Sequence, residues 1–317
     1  MRKILKAAIG FLIGFLVVKS NQSLAEEKSR LKVMLIAWAD VGIQEKVFLS
    51  ELERLGYQVQ PEFFAANLDR NFLATYLRTT FESKVLGYDY VYSFGTTASL
   101  MAQSIIKNRV PHLFHSVNDP IGSGLVSSLK TTGLNINGFS DGVSVTAQLS
   151  LMREILPLKS IGLIFNPREA NSNLERQKIK SYCEEFGIKY EDIRVTQEPG
   201  QLDSVVAAIK ENKIKVDLMI LPQDSFIATN QKKIIDAVNF AKIPSFGTII
   251  DYHDSGVLVV MTPDFAKGGR KLAAMIDEHQ QGALLSQMPV ITDEQPKIVV
   301  NEKTAQLLGL AEKLKGK

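Results

Sequence analysis

Cysteine, long apolar runs and a surplus of either charge are what this 317-residue chain has little of. Its one cysteine, Cys183, cannot form an internal disulfide. Lying beside Tyr182 in a helical stretch, it reads as a small buried side chain. Beyond the first 25 residues no stretch reaches the roughly 18 apolar residues of a membrane span, which excludes a helical channel or receptor there. The formal charge of +3 is misleading, because Arg2, Lys3, Lys6 and Lys19 put four of the 37 basic residues into an opening segment with no acid. The remainder holds 33 basic against 34 acidic residues, so a basic surface for nucleic acid has no support. Catalytic signatures are missing too: there is no Gly-x-Ser-x-Gly elbow, no phosphate-binding Gly-Lys loop, and no Gly-x-Gly-x-x-Gly after the first strand. His112 and His115 stand three apart on a strand, face opposite sides, and so cannot share a metal. Asp251, His253 and Asp254 carry metal-ligand types, but charged residues in an exposed loop are ordinarily just solvated. The expectation is no catalytic residue, no metal and no cofactor.

What is present begins at the N-terminus. A basic start is followed by an apolar-plus-glycine run from Ala7 to Val18, and Ser23-Leu24-Ala25 precedes Glu26. That is the three-part pattern of a secretory signal peptide over residues 1–25. Twelve helical residues reach about 18 Å, short of the ~30 Å hydrocarbon core, so the pattern favours cleavage over anchoring. With no cysteine at the cleavage site, a lipid anchor is excluded. The mature chain is expected in the periplasm.

From there, short apolar runs alternate with amphipathic segments. Val33–Trp38, Tyr57–Phe63, Asp89–Phe94, Pro111–Ser116 and Gly133–Phe139 read as strands, separated by helical patterns such as Gln44–Leu55 and Leu68–Val85. A second set follows at Ser160–Phe165, Lys189–Val195, Val216–Leu221 and Ile243–Ile249. Strands alternating with helices imply parallel sheets with right-handed crossovers. The fold class is therefore α/β, as two Rossmann-like lobes. The expected division is 26–140 plus 262–285 for one lobe and 141–261 plus 286–317 for the other. Such repeated crossing makes a multi-strand hinge and a cleft.

Ligands of open parallel sheets bind outside the carboxyl ends of the strands. That rule selects Trp38 and Asp40 after the first strand, Thr96 and Thr97 after the third, and His115, Asn118 and Asp119 around the end of the fourth. In the second lobe it selects Asn166, Glu169, Asn171 and Ser172, then Asp224, then Tyr252. Gly95-Thr96-Thr97 opens a helix whose free N–H groups could hold a carboxylate, although small residues also simply make good caps. Asp119 before Pro120 could meet an ammonium group or satisfy nearby backbone. Trp38, the only tryptophan, could stack on a ring or cover the sheet edge.

At these loops the chain resembles the ABC-transporter substrate-binding proteins of the type I periplasmic fold, in the group whose best-understood members bind tryptophan or tyrosine. The patches that carry the resemblance are His115-Ser116-Val117-Asn118-Asp119-Pro120, Gly138-Phe139-Ser140-Asp141, Phe165 through Ser172, Pro289-Val290, and the tail from Val300 to Leu310. It implies a monomer that closes on a small-molecule ligand and docks on a membrane permease, with Asn118-Asp119 facing Glu169–Ser172 across the cleft. In that frame a zwitterion would set its carboxylate on Thr96-Thr97 and its ammonium near Asp119 or Asp224, under Trp38 or Tyr252. The chain departs from the family at Thr248–His253, where bulk and charge replace a small, glycine-rich loop and weigh against an aromatic amino acid. A periplasmic sensory protein would need the same cleft, and an exported enzyme using the Asp251–Asp254 region is the remaining alternative.

Overall fold

The computed structural model describes residues 28–293 and 295–316; the segment 1–25, expected from its sequence to be a signal peptide, lies outside them. The first sheet holds β1 (Arg30–Ala37), β2 (Gln58–Ala65), β3 (Tyr90–Phe94), β4 (His112–His115) and β5 (Ile136–Ser140). The second holds β6 (Ser160–Phe165), β7 (Lys189–Arg194), β8 (Leu218–Leu221), β9 (Ser245–Gly247) and β10 (Val259–Thr262). β11 (Ile291–Thr292) and β12 (Lys297–Val300) complete them, giving the orders β11-β5-β4-β3-β1-β2 and β12-β10-β9-β8-β6-β7. All pairings are parallel, as the alternation predicts, except that β12 runs antiparallel to β10.

The pleat explains the layering. In β1, Leu31, Val33 and Leu35 share one core with Phe48 and Leu52 of the helix Ile43–Arg54, while Met34 and Ile36 point into another with Leu73, Phe81 and Ala102. The second sheet is covered likewise: Ile161 and Leu163 meet Met152, Ile179 and Cys183, whereas Ile164, Met219 and Leu221 meet Ile234 and Val238. Cys183 is thus a core side chain, and burial pushes its thiol up to about 11. Among the described residues no helix is long and apolar enough to cross a membrane.

Three segments pass between the sheets, after β5, β10 and β11, all at one edge. The middle one feeds the helix Phe265–Gln280 back onto the first lobe, where Leu272 and Ile276 join the core of β1. Gly269 permits that seat, since a Cβ there would lie 2.9 Å from the Gln44 carbonyl. The sequence reading placed everything from 286 onward with the second lobe. Ile291 and Thr292 instead pair with Phe139 and Ser140 of β5, so the last crossing follows residue 292. The long helix expected over Leu68–Val85 is also broken: Arg70–Tyr76 is α-helical and Leu77–Phe81 widens into a π turn.

Candidate functional site

The carboxyl ends of the two sheets face each other. Between the loops after β1, β2 and β3 and those after β6, β7 and β8 lies a cavity of about 850 Å³. Its first wall is built by backbone. The Trp38 N–H donates to the Phe94 carbonyl at 3.0 Å, and the Trp38 carbonyl accepts from the Leu68 N–H at 2.9 Å. That bond holds Asn67 and Leu68 at φ of 50° and 62°, both left-handed. Asp69 then starts the next helix, its Oδ1 accepting from the N–H groups of Asn71 (2.8 Å) and Phe72 (3.0 Å). Gly95, at φ 89°, turns β3 directly into the helix Thr96–Ile106; a Cβ there would press to 3.1 Å from the Trp38 Cβ. Trp38, Asn67 through Asn71 and Thr97 line this wall, and the opening turn of the helix leaves backbone N–H groups without intrahelical partners.

The second wall is acidic and buried. Asn166 anchors the loop after β6: its N–H donates to Ser172 Oγ at 3.1 Å, and its Oδ1 accepts from the Arg168 N–H at 3.0 Å. Glu169 lines the cavity while 7 % exposed, with Oε2 accepting from the Ser225 N–H at 3.1 Å. Behind it Asp224, 1 % exposed, caps the helix Ser225–Thr229 through the Ile227 N–H at 3.0 Å. Burial, reinforced by the charge of Asp224, pushes Glu169 up to about 8, and burial pushes Asp224 up to about 6. The pair is therefore biased toward holding a proton near neutral pH, a bias that a cation placed at Glu169 would oppose. Arg168, Gln197, Phe226, Thr229 and Asn230 complete the wall.

The cavity thus brings together Trp38, Thr97, Asn166 and Glu169 of the sequence candidates, with Asp224 immediately behind and Thr96 at the same helix start. Ser172 is buried beneath the wall as the acceptor for Asn166. The others go elsewhere. His115 is in the core: its ring stands edge-on to Tyr92 and Phe139, Nδ1 meets the Tyr92 hydroxyl at 2.6 Å, and burial pushes it down to about 3. His112 lies on the opposite face, between Ser93 and Gln103. Tyr252 does not cover a ligand either. It is fully buried under Gly247, with its hydroxyl donating to the Pro222 carbonyl at 2.8 Å. The loop that seemed bulky is a short helix, Asp251–Asp254, with its aromatic residue turned inward.

Asp119 is bound by its own protein, pairing with Lys178 at 2.7 Å and accepting from the Gly122 N–H. Partial burial alone would raise it, but Lys178 and these backbone donors outweigh that and hold it below the usual carboxylate range. Asn118 lines a separate cavity of about 580 Å³ with Lys178 and Ser144. Asn171 donates to the Gln223 carbonyl, and Asp40 is exposed at the end of β1 with Oδ1 on the Val41 N–H. No group of three or more metal-ligating side chains occurs among the described residues. What the sequence reading passed over were the loops after β2 and β7. The carboxyl-end rule points to them as well, at Asn67–Asn71 and Gln197.

Comparison with known proteins agrees with this architecture. A family model described as ABC transporter substrate binding protein matches residues 42–314. A tyrosine-binding protein of Clostridioides difficile (strain R20291) is 28% identical over 225 residues, 70% of this chain; the match spans 63% of that relative, less than two thirds of its length. Among solved structures, the ABC domain from Streptococcus pneumoniae in complex with L-Trp superposes with a TM-score of 0.77 at 26% identity, covering 88% of this chain and 95% of that one. A conserved domain protein from Vibrio cholerae gives 0.78 at 25% identity, with the same coverages.

Proposed function

We propose that this chain, which belongs to the ABC transporter substrate binding protein family, captures a free amino acid with an aromatic side chain in the 850 Å³ cavity and delivers it to a membrane permease. The observation that carries this is the pairing of walls. A helix start and an indole on one lobe face a buried carboxyl pair on the other, and that is the complement of a zwitterion with a flat apolar group. The ligand carboxylate would rest on the N–H groups and hydroxyls of Thr96-Thr97, where the helix dipole favours an anion. Its ammonium would sit at Glu169, taking the place of the shared proton. Trp38 and Phe226 would cover the ring. The names of the relatives, tyrosine-binding and L-Trp-bound, support the same class. With Tyr252 turned into the core, no residue of the loop after β9 lines this cavity.

The lobes, 30–140 with 265–292 and 145–262 with 297–316, would close by bending at their three crossings. A ligand touching both walls biases that closure, whereas contact with one wall gives none. Export through a cleaved segment 1–25 and action in the periplasm as a monomer fit this role. Titration calorimetry of residues 26–317 with L-tryptophan and L-tyrosine is the test. 3-Indolepropionate, which lacks the ammonium, should bind at least about tenfold more weakly than tryptophan, or about 1.4 kcal/mol. Equal affinity would remove the carboxyl pair from the site.

A further inference from the structure

We infer that Gln223 is a cross-cleft latch that holds the two lobes together near the hinge through its own amide, independently of any ligand. Its backbone belongs to the second lobe. The Gln223 N–H donates to Glu175 Oε2 at 3.4 Å, and its carbonyl accepts from Asn171 Nδ2 on the helix Ala170–Phe186. Its side chain reaches Ser116 and Asn118 of the first lobe and Asp141 at the crossing after β5. Nε2 donates to Ser116 Oγ at 3.1 Å and to the Asp141 carboxylate, while Oε1 accepts from Asn118 Nδ2 at 3.4 Å. A carboxamide that donates twice and accepts once uses three of its hydrogen-bonding positions here, two across the cleft and one on the crossing.

The receptor for this amide is set by the end of β4 and the crossing that leaves β5. Ser116 takes the left-handed φ of 59° at the end of β4, and its Oγ donates to Asp141 Oδ2 at 2.6 Å. Ser116 and Asp141 are only 6 % and 2 % exposed, so withdrawing the amide would leave a buried carboxylate without one of its donors until water entered. Neither Gln223 nor its three partners lines the 850 Å³ cavity, so Gln223 is a positioning residue that acts on lobe closure and not on ligand contact. The inference rests on the closure reading above but not on the identity of the ligand.

Small-angle scattering of the protein without added ligand tests it, using Gln223→Met, which keeps length without hydrogen bonds, and Gln223→Glu, which sets a carboxylate against Asp141. Ser116→Ala removes an acceptor from the opposite lobe and carries the test if a Gln223 variant fails to fold, as judged by circular dichroism. The expected result is a larger radius of gyration for each folded variant than for wild type, greatest for Gln223→Glu. A several-fold faster association with L-tryptophan should accompany it, because the open state is more populated. Scattering profiles identical to wild type in the folded variants would overturn the latch. So would a wild type already as expanded as Gln223→Glu. If L-tryptophan does not bind at all, the ligand assignment fails while the scattering comparison still decides the latch.

Discussion

The two ends of the interlobe cleft are built on opposite principles. Near the hinge, polar groups satisfy one another across the gap: Gln223 reaches Ser116 and Asn118, and Lys178 reaches Asp119. Toward β2 and β7 the walls stand apart around a cavity, and the acid there, Glu169, is held by backbone with a second buried carboxyl behind it. The contrast shows in the carboxylates themselves. Asp119, answered by Lys178, is held low, whereas Glu169, answered by no cation, is pushed up to about 8. One end links the lobes through the protein's own polar groups, and in the proposed function the other is completed by a ligand that brings a positive charge.

Four changes would break or sharpen that comparison. Trp38→Ala should have the largest effect, removing the apolar face of the outer wall. Losing about 2 kcal/mol of ring burial corresponds to roughly a 30-fold weaker Kd for L-tryptophan, measured by calorimetry. Glu169→Gln comes next: it keeps the acceptor from the Ser225 N–H but loses the charge, and should weaken tryptophan about tenfold while leaving 3-indolepropionate nearly unaffected.

The third is a pH effect. Glu169, Glu175 and Asp224 are pushed up to about 8, 7 and 6, while buried His112 and His115 are pushed down to about 3 and oppose them below about pH 6.5, so the folded chain binds more protons than the unfolded one between about pH 6.5 and 8. Stability of the ligand-free protein should therefore fall as pH rises through that window, and Glu169→Gln should flatten the slope in thermal melts. The smallest effect belongs to Asp119→Ala. Sequence alone offers Asp119 as a partner for a ligand ammonium or for nearby backbone. Placed instead in a half-exposed ion pair with Lys178, it should cost about 0.2–1 kcal/mol, and less at high salt. A tenfold loss for this variant would erase the distinction between the two ends.

The fold was legible because hydrophobic period and strand–helix alternation are local signals, and β1 through β10 fall close to where those signals lie. The late crossing was less so: β11 is two residues long, and its attachment to β5 is a pairing, not a pattern. At the site, the helix start at Thr96 and the Asn166–Glu169 loop were readable from caps and position. The rim at Asn67-Leu68 was not, because a leucine at positive φ carries no turn signal and is held there by the distant Trp38 carbonyl. His115 and Tyr252 failed for a related reason. Each ends or follows a strand, and whether such a side chain faces the cleft or the core depends on neighbours. For His115 these are Tyr92, Phe139 and the close approach of Gly268; for Tyr252 the neighbour is Gly247.

The most direct test of the acidic outer wall is the proton balance of binding. L-tryptophan should be titrated into the protein at neutral pH in buffers of different ionisation enthalpy. An ammonium seated at Glu169 must expel the proton that the pair holds, so the account predicts net proton release and an affinity that rises with pH toward about 8. Tight binding with no proton released, and an affinity flat in pH, would place the ammonium elsewhere and contradict it.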